Sequence, residues 1–155
     1  MKKLILIGLT FSLIGALANS QSRSGREAIE NKFIGAWRLA QLEQEGSDGK
    51  IHASDASGLL VFTRDGHLSV QVMDRNPQPQ AQAGPEQYSL AGYEASFGTY
   101  QIDEHTHTFT FHVDGALVRS LIGKDLPRAF DFSGKQLIVK STHPDEHWRV
   151  TWEHY

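Results

Sequence analysis

At 155 residues with a formal net charge of −3 and no cysteine, the chain is the size of one domain. It must fold without disulfides or thiolate metal sites. Its mild acidity gives no electrostatic case for nucleic acid or an anionic membrane.

The first segment reads as an address. Lys2 and Lys3 precede an apolar run from Leu4 to Ala18, followed by small-residue sites at Ala16-Leu17-Ala18 and Ala18-Asn19-Ser20. That is the pattern of a secretory signal peptide over residues 1–20. The apolar run falls short of the roughly 20 residues that span a bilayer, and no cysteine stands at the cleavage site to carry a lipid. Cleavage would remove two lysines and no acids, leaving a net charge of −5. The expected location is periplasmic or secreted, with no transmembrane segment after cleavage. Residues 21–32 form a polar leader, helix-forming from Gly25 to Lys32, and residues 33–155 carry the folded domain.

From there the chain reads as strands and turns. Phe33 to Glu43 opens the domain, with Trp37 and Leu39 alternating with Arg38 in the two-residue period of a strand with one buried face. Glu45 to Gly49 is a turn. Gly58–Thr63 and His67–Met73 flank Arg64-Asp65-Gly66, a strong hairpin signal. Leu68, Val70 and Val72 mark the inward face of the second run, whereas both parities of the first are apolar. Asp74 to Gly84, with Pro77 and Pro79, is a loop. Pro85 to Ser96 has helical content, with Tyr88, Ala91 and Ala95 at helical spacing. Ser96–Asp103 and Thr108–Val113 form a hairpin around Glu104-His105-Thr106-His107. The stretch from Ala116 to Asp125 is open between a helical turn and a short strand. Pro127–Phe132 and Lys135–Ser141 make another hairpin, and His147–Tyr155, with Trp148, Val150 and Trp152 in alternation, is the last strand.

About eight strands joined by tight turns, with one short inserted helix, predict an all-β fold: an eight-stranded antiparallel up-and-down barrel, which leaves no exposed sheet edge. A β-sandwich competes; the dominance of hairpins and the lack of any long crossover favour the barrel. An interior of this size is either filled by side chains or holds one small ligand.

The opening Phe33-Ile34-Gly35-Ala36-Trp37-Arg38-Leu39 resembles the Gly-x-Trp start of lipocalin and calycin barrels. With Gly58–Met73, Phe97-Gly98-Thr99-Tyr100-Gln101-Ile102-Asp103, His112-Val113-Asp114-Gly115 and Trp152-Glu153, the stretch from Phe33 to Tyr155 is similar to the lipocalin-like domain family. Where that family often carries a second histidine before the one matched by His112, this chain has Phe111. The resemblance implies that Trp37 closes one barrel end with a basic side chain packed over it, for which Arg149 is the candidate.

The candidate site follows from the aromatic and polar residues of the strands. Phe62, Tyr100, Phe111 and Phe130 supply apolar area, His112 or Arg128 a polar anchor, and His67 and Gln71 lining or rim positions. Arg128, beside Pro127 at a strand start, is placed to meet an acidic ligand at a barrel mouth. The orientation of His112 is open: either Phe109, Phe111 and Val113 face inward, or Thr108, Thr110 and His112 do. The eight histidines match no recognised metal-ligand spacing, and no nucleophile or phosphate-loop motif occurs, so no cofactor or metal is expected. The leading expectation is a carrier of a small hydrophobic or amphipathic molecule, with the segment from Asp74 to Ser96 over the mouth and a cavity of roughly 300 Å³ or more. The alternatives are an isomerase- or cyclase-type enzyme using Tyr100 and His112 as acid and base, and a structural or partner-binding envelope protein with an exposed apolar patch.

Overall fold

A computed structural model describes residues 27–77 and 86–155. The signal-peptide reading of residues 1–20 lies outside these, as does most of the loop after Asp74. Residues 27–33 are helical, and Phe33–Tyr155 forms one compact unit. Its strands are β1 (Gly35–Glu45), β2 (Ile51–Ser54), β3 (Ala56–Phe62), β4 (His67–Asp74), β5 (Tyr93–Asp103), β6 (Thr108–Ala116), β7 (Asp125–Ser133), β8 (Gln136–Ser141) and β9 (Trp148–His154). Among the described residues no helix is long and apolar enough to cross a membrane.

All neighbouring strands pair antiparallel, and β1 returns to pair with β9. Strands β1 and β3 to β9 therefore close an eight-stranded up-and-down barrel. The short β2 prolongs β3 along the second half of β1, from Leu42↔Ser54 to Glu45↔Ile51. It escapes a pattern search because Ile51-His52-Ala53 is exposed and has no buried alternate.

Alternation fixes what points inward. On β4 the inward set is Leu68, Val70 and Val72, and on β6 it is Phe109, Phe111 and Val113, with His112 outside. In β1 the phase changes. A bulge at Ala40, between Leu39↔Trp152 and Gln41↔Thr151, lets both Trp37 and Leu42 be buried although they are five positions apart. Another irregularity in the β5–β6 ladder falls at Phe97/Gly98. There the two backbones approach so closely that a Cβ on Gly98 would run into the His112 carbonyl.

The inserted helix is one 3-10 turn, Glu86–Tyr88. The helical spacing of Tyr88, Ala91 and Ala95 is overridden by left-handed backbone at Ala91 (φ 52°) and Gly92 (φ 77°), which reverses the chain and starts β5 at Tyr93. The open stretch after β6 resolves into a second 3-10 turn, Arg119–Leu121.

One end of the barrel is packed solid. The completely buried ring of Phe33 meets those of Phe62, Phe109, Phe130 and Phe132 edge-on, with centroids 4.8 to 5.8 Å apart, the favoured aromatic geometry. Trp37 lies beside them and donates its indole N–H to the Phe33 carbonyl at 2.8 Å. The side chain packed on Trp37 is His154, at 4.7 Å, its cross-strand partner. Arg149 is not; the register places it opposite Glu43 at the far end of β1, where its Nε donates to Oε2 at 2.6 Å.

Phe33→Ala should cost about 3–5 kcal/mol in urea unfolding, because it empties the centre of the ring cluster. Gly98→Ala should cost about 1–3 kcal/mol by the same measurement, although it adds one methyl group, since the His112 backbone stands in its place.

Candidate functional site

Above the ring cluster the interior is hollow. A cavity of about 80 Å³ runs from Phe109 and Trp152 towards the opposite end of the barrel. Its wall is apolar: Leu42, Leu60, Val70, Val72, Phe111 and Val139, with Leu126 and Val150 further up. That volume is well below the roughly 300 Å³ of sites for drug-sized ligands and corrects the larger cavity anticipated from barrel size. The difference comes from the aromatic side chains, which fill one half of the barrel.

Polar groups gather where the cavity meets the far end. Arg128 on β7 lays its guanidinium against Tyr88 and Trp148, 4.7 and 5.0 Å from the ring centroids, a contact that holds a cation without desolvating it against carbon alone. Its Nη1 also donates to the Pro127 carbonyl at 3.0 Å. Tyr88 and Trp148 are tied in turn to Glu146, in the β8–β9 connection. The Tyr88 hydroxyl donates to its two oxygens at 3.2 and 3.3 Å, the Trp148 indole N–H at 3.1 Å, and the Ser141 hydroxyl at 2.6 Å. Burial works to raise the Glu146 pKa. The donors Ser141, Trp148 and Tyr88, with the charge of Arg128 behind them, outweigh it and hold Glu146 below the ordinary glutamate value.

Glu94 is the opposite case. It projects from β5 into the same cavity, on the face shared by Ser96, and among the described residues its carboxyl has no hydrogen-bond partner. Its side chain is half-buried and lines the cavity among apolar neighbours. Burial pushes its pKa up to about 7 from the ordinary 4.5, and the charge of Arg128 offsets this only in part.

The candidate residues read from sequence part company here. Phe111 and Arg128 line the cavity. Phe62 and Phe130 belong to the ring cluster beneath it. Tyr100 points inward, but its ring packs on Phe62 at 4.9 Å and its hydroxyl donates to the Thr63 carbonyl at 3.0 Å. His67 and Gln71 are exposed on the outer face of β4. His112 is also outside, 47% exposed, with Nδ1 2.8 Å from Asp125 and Nε2 3.8 Å from Asp114. The ladder pairs Tyr100 with Phe111 and Thr99 with His112, so Tyr100 and His112 stand on opposite faces of the sheet and cannot act on one substrate. The residues that sequence reasoning missed are Glu94, Ser96, Tyr88 and Trp148. For Glu94 and Ser96 the signal was parity: both continue the even-numbered inward set of Gly98, Tyr100 and Ile102.

The unpaired carboxyl makes stability depend on pH. Below about pH 4.5 Glu94 is neutral in the folded and the unfolded chain. Between there and pH 7 the unfolded chain releases its proton while the folded chain retains it, so this group's contribution to stability falls as pH rises and levels off above pH 7. Glu94→Gln, which mimics the neutral form, should therefore gain on the native protein between pH 5 and pH 8, by up to ~3 kcal/mol in urea unfolding. An advantage that stays constant with pH would show that Glu94 is solvated.

The fold and the cavity can be set beside known proteins. The family model described as a lipocalin-like domain matches residues 34–154. A search of curated proteins finds no match to the chain. The matched span begins at the strand that carries Trp37 and ends on the strand that closes the barrel against it, so the chain belongs to the lipocalin-like domain family.

Proposed function

We propose that this protein is an exported lipocalin-like barrel that binds a small, mostly apolar molecule inside the cavity above the Phe33 cluster. The observation that carries the reading is the cavity itself: an apolar wall closed at one end by packed rings and bordered at the other by Arg128, Tyr88, Trp148 and Glu94. Binding sites of this kind combine an apolar wall with a few convergent polar groups. At about 80 Å³ the void is roughly half the ~150 Å³ that admits benzene in an engineered protein core, so the ligand body is a short aliphatic group. The family supports a ligand-binding role, and the Lys2–Ser20 segment supports export to the periplasm or beyond. Phe111 and Arg128 remain the ligand-contacting residues of the sequence-based set, joined by Glu94, Ser96, Tyr88 and Trp148.

A second reading rests on a separate observation. The outer face of β4 and β5 near Asp74 presents Met73, Tyr93 and Phe97, with Leu90 and Leu117 beside them, all at least one-third exposed and Phe97 59% so. A patch of this kind suits a partner protein in the envelope, and it does not conflict with a ligand inside the barrel.

The first reading is tested by two-dimensional NMR with n-butanol as the probe. Saturable shifts should concentrate on Leu60, Val72, Phe111 and Val139, and Val139→Phe, which fills the void, should abolish them while the remaining spectrum stays folded. Shifts confined to the outer patch would transfer the function to that surface. Phe97→Ser should leave butanol binding unchanged.

A further inference from the structure

The polar atoms that face the cavity are not equally available. Tyr88 and Trp148 have committed their donors to Glu146. Arg128 has both rings against its guanidinium and one N–H on the Pro127 carbonyl. Glu94 alone presents a carboxyl with no hydrogen bond among the described residues, and Ser96, buried two positions along on the same face, lines the same cavity. An ionised carboxylate only accepts hydrogen bonds, and a buried acceptor left unmade is costly. A ligand that supplies a donor at this point removes that cost, whereas one that brings only acceptors, or a second negative charge, adds to it.

We propose that the ligand head is a hydrogen-bond donor, an aliphatic alcohol or amine, received by the carboxylate of Glu94, while the short apolar body lies among Leu60, Val72, Phe111 and Val139. This rests on the cavity being the binding site. It reverses the expectation that Arg128 selects an acidic ligand. In this geometry Arg128 instead locks the Tyr88 turn to Trp148, and its charge is balanced by Glu146. The charge that acts on Glu94 is that of Arg128 from β7; Tyr88 from the 3-10 turn lines the same cavity, Glu146 from the β8–β9 connection is bonded to Tyr88, and Asp74 lies on the same face of β4 as Val72, the cross-strand partner of Glu94. Because a donor favours the ionised form of Glu94, an ammonium head should bind more tightly as pH rises from 5 to 8, while a neutral alcohol should vary less.

The test is an NMR titration of the full chain with four probes of matched size: n-butylamine, n-butanol, diethyl ether, which accepts only, and butyrate. The expected order places butylamine and butanol at least ~tenfold tighter than ether, with butyrate weakest, and butylamine binding should strengthen from pH 5 to pH 8. Glu94→Gln should erase the butylamine preference and its pH dependence while ether binds at least as tightly as before, because the amide can donate to the ether oxygen, whereas a merely structural effect of the variant would weaken all the probes together. Butyrate binding above butanol and butylamine would overturn the proposal in favour of Arg128. Equal affinity for all four probes, or a series unaltered by Glu94→Gln, would overturn it while the cavity remains a binding site. No binding by any of the four, ether included, would overturn both this inference and the cavity reading on which it rests.

Discussion

An eight-stranded barrel has one interior, and in this chain a single ring divides it. Phe33, two residues ahead of β1, gathers the rings of Phe62, Phe109, Phe130 and Phe132 around itself, with the indole N–H of Trp37 fastened to its carbonyl. Everything towards the other end follows from that choice. Since the rings fill the lower half, the strands can carry smaller aliphatic residues in the upper half without losing the core, and the space left over becomes a cavity. The cluster thus supplies both stability and a floor.

The upper end is organised by charge. Arg128, Glu146 and Glu94 stand near this end, and their treatment differs. Arg128 is held by aromatic faces, Glu146 by a ring of donors, and Glu94 by neither. Of these three, Glu94 is the one whose carboxyl has no hydrogen bond among the described residues, which is why burial dominates its titration. The exposed ion pairs on the outer face, such as Arg38 with Glu153 and Arg149 with Glu43, contribute little to stability by comparison.

Much of this was legible in the residues. The alternation of Leu68, Val70 and Val72, the Asp65-Gly66 turn and the closing strand with Trp148, Val150 and Trp152 led directly to a barrel of the observed order. What escaped did so for physical reasons. Tyr88, Ala91 and Ala95 have helical spacing, but spacing cannot register that Ala91 and Gly92 take left-handed backbone, and reading a helix there concealed Glu94 and Ser96. The orientation of His112 depended on a register that no single strand contains; only the pairing of Thr99 with His112 and Tyr100 with Phe111 settles it. Arg149 was placed over Trp37 by likeness to other barrels, while in this chain the ladder sets His154 there. The bulge at Ala40 shifts the buried set of β1 from Trp37 to Leu42 without any glycine or proline to announce it.

Among the described residues, the Phe33 end is packed through with rings and the cavity extends to the opposite end. An occupant would then enter by the Tyr88–Arg128–Trp148 end, where Arg128 and Trp148 sit on the ladder-bonded β7 and β9 but Tyr88 and Glu146 belong to a one-turn 3-10 segment and a loop. The rate of exchange is then governed by local opening of those elements, which occurs far more readily than opening of the barrel wall. For the proposed ligand, equilibrium affinity and residence time would then be set by different residues: the first by the cavity lining, the second by the aromatic and carboxylate latch that holds Arg128.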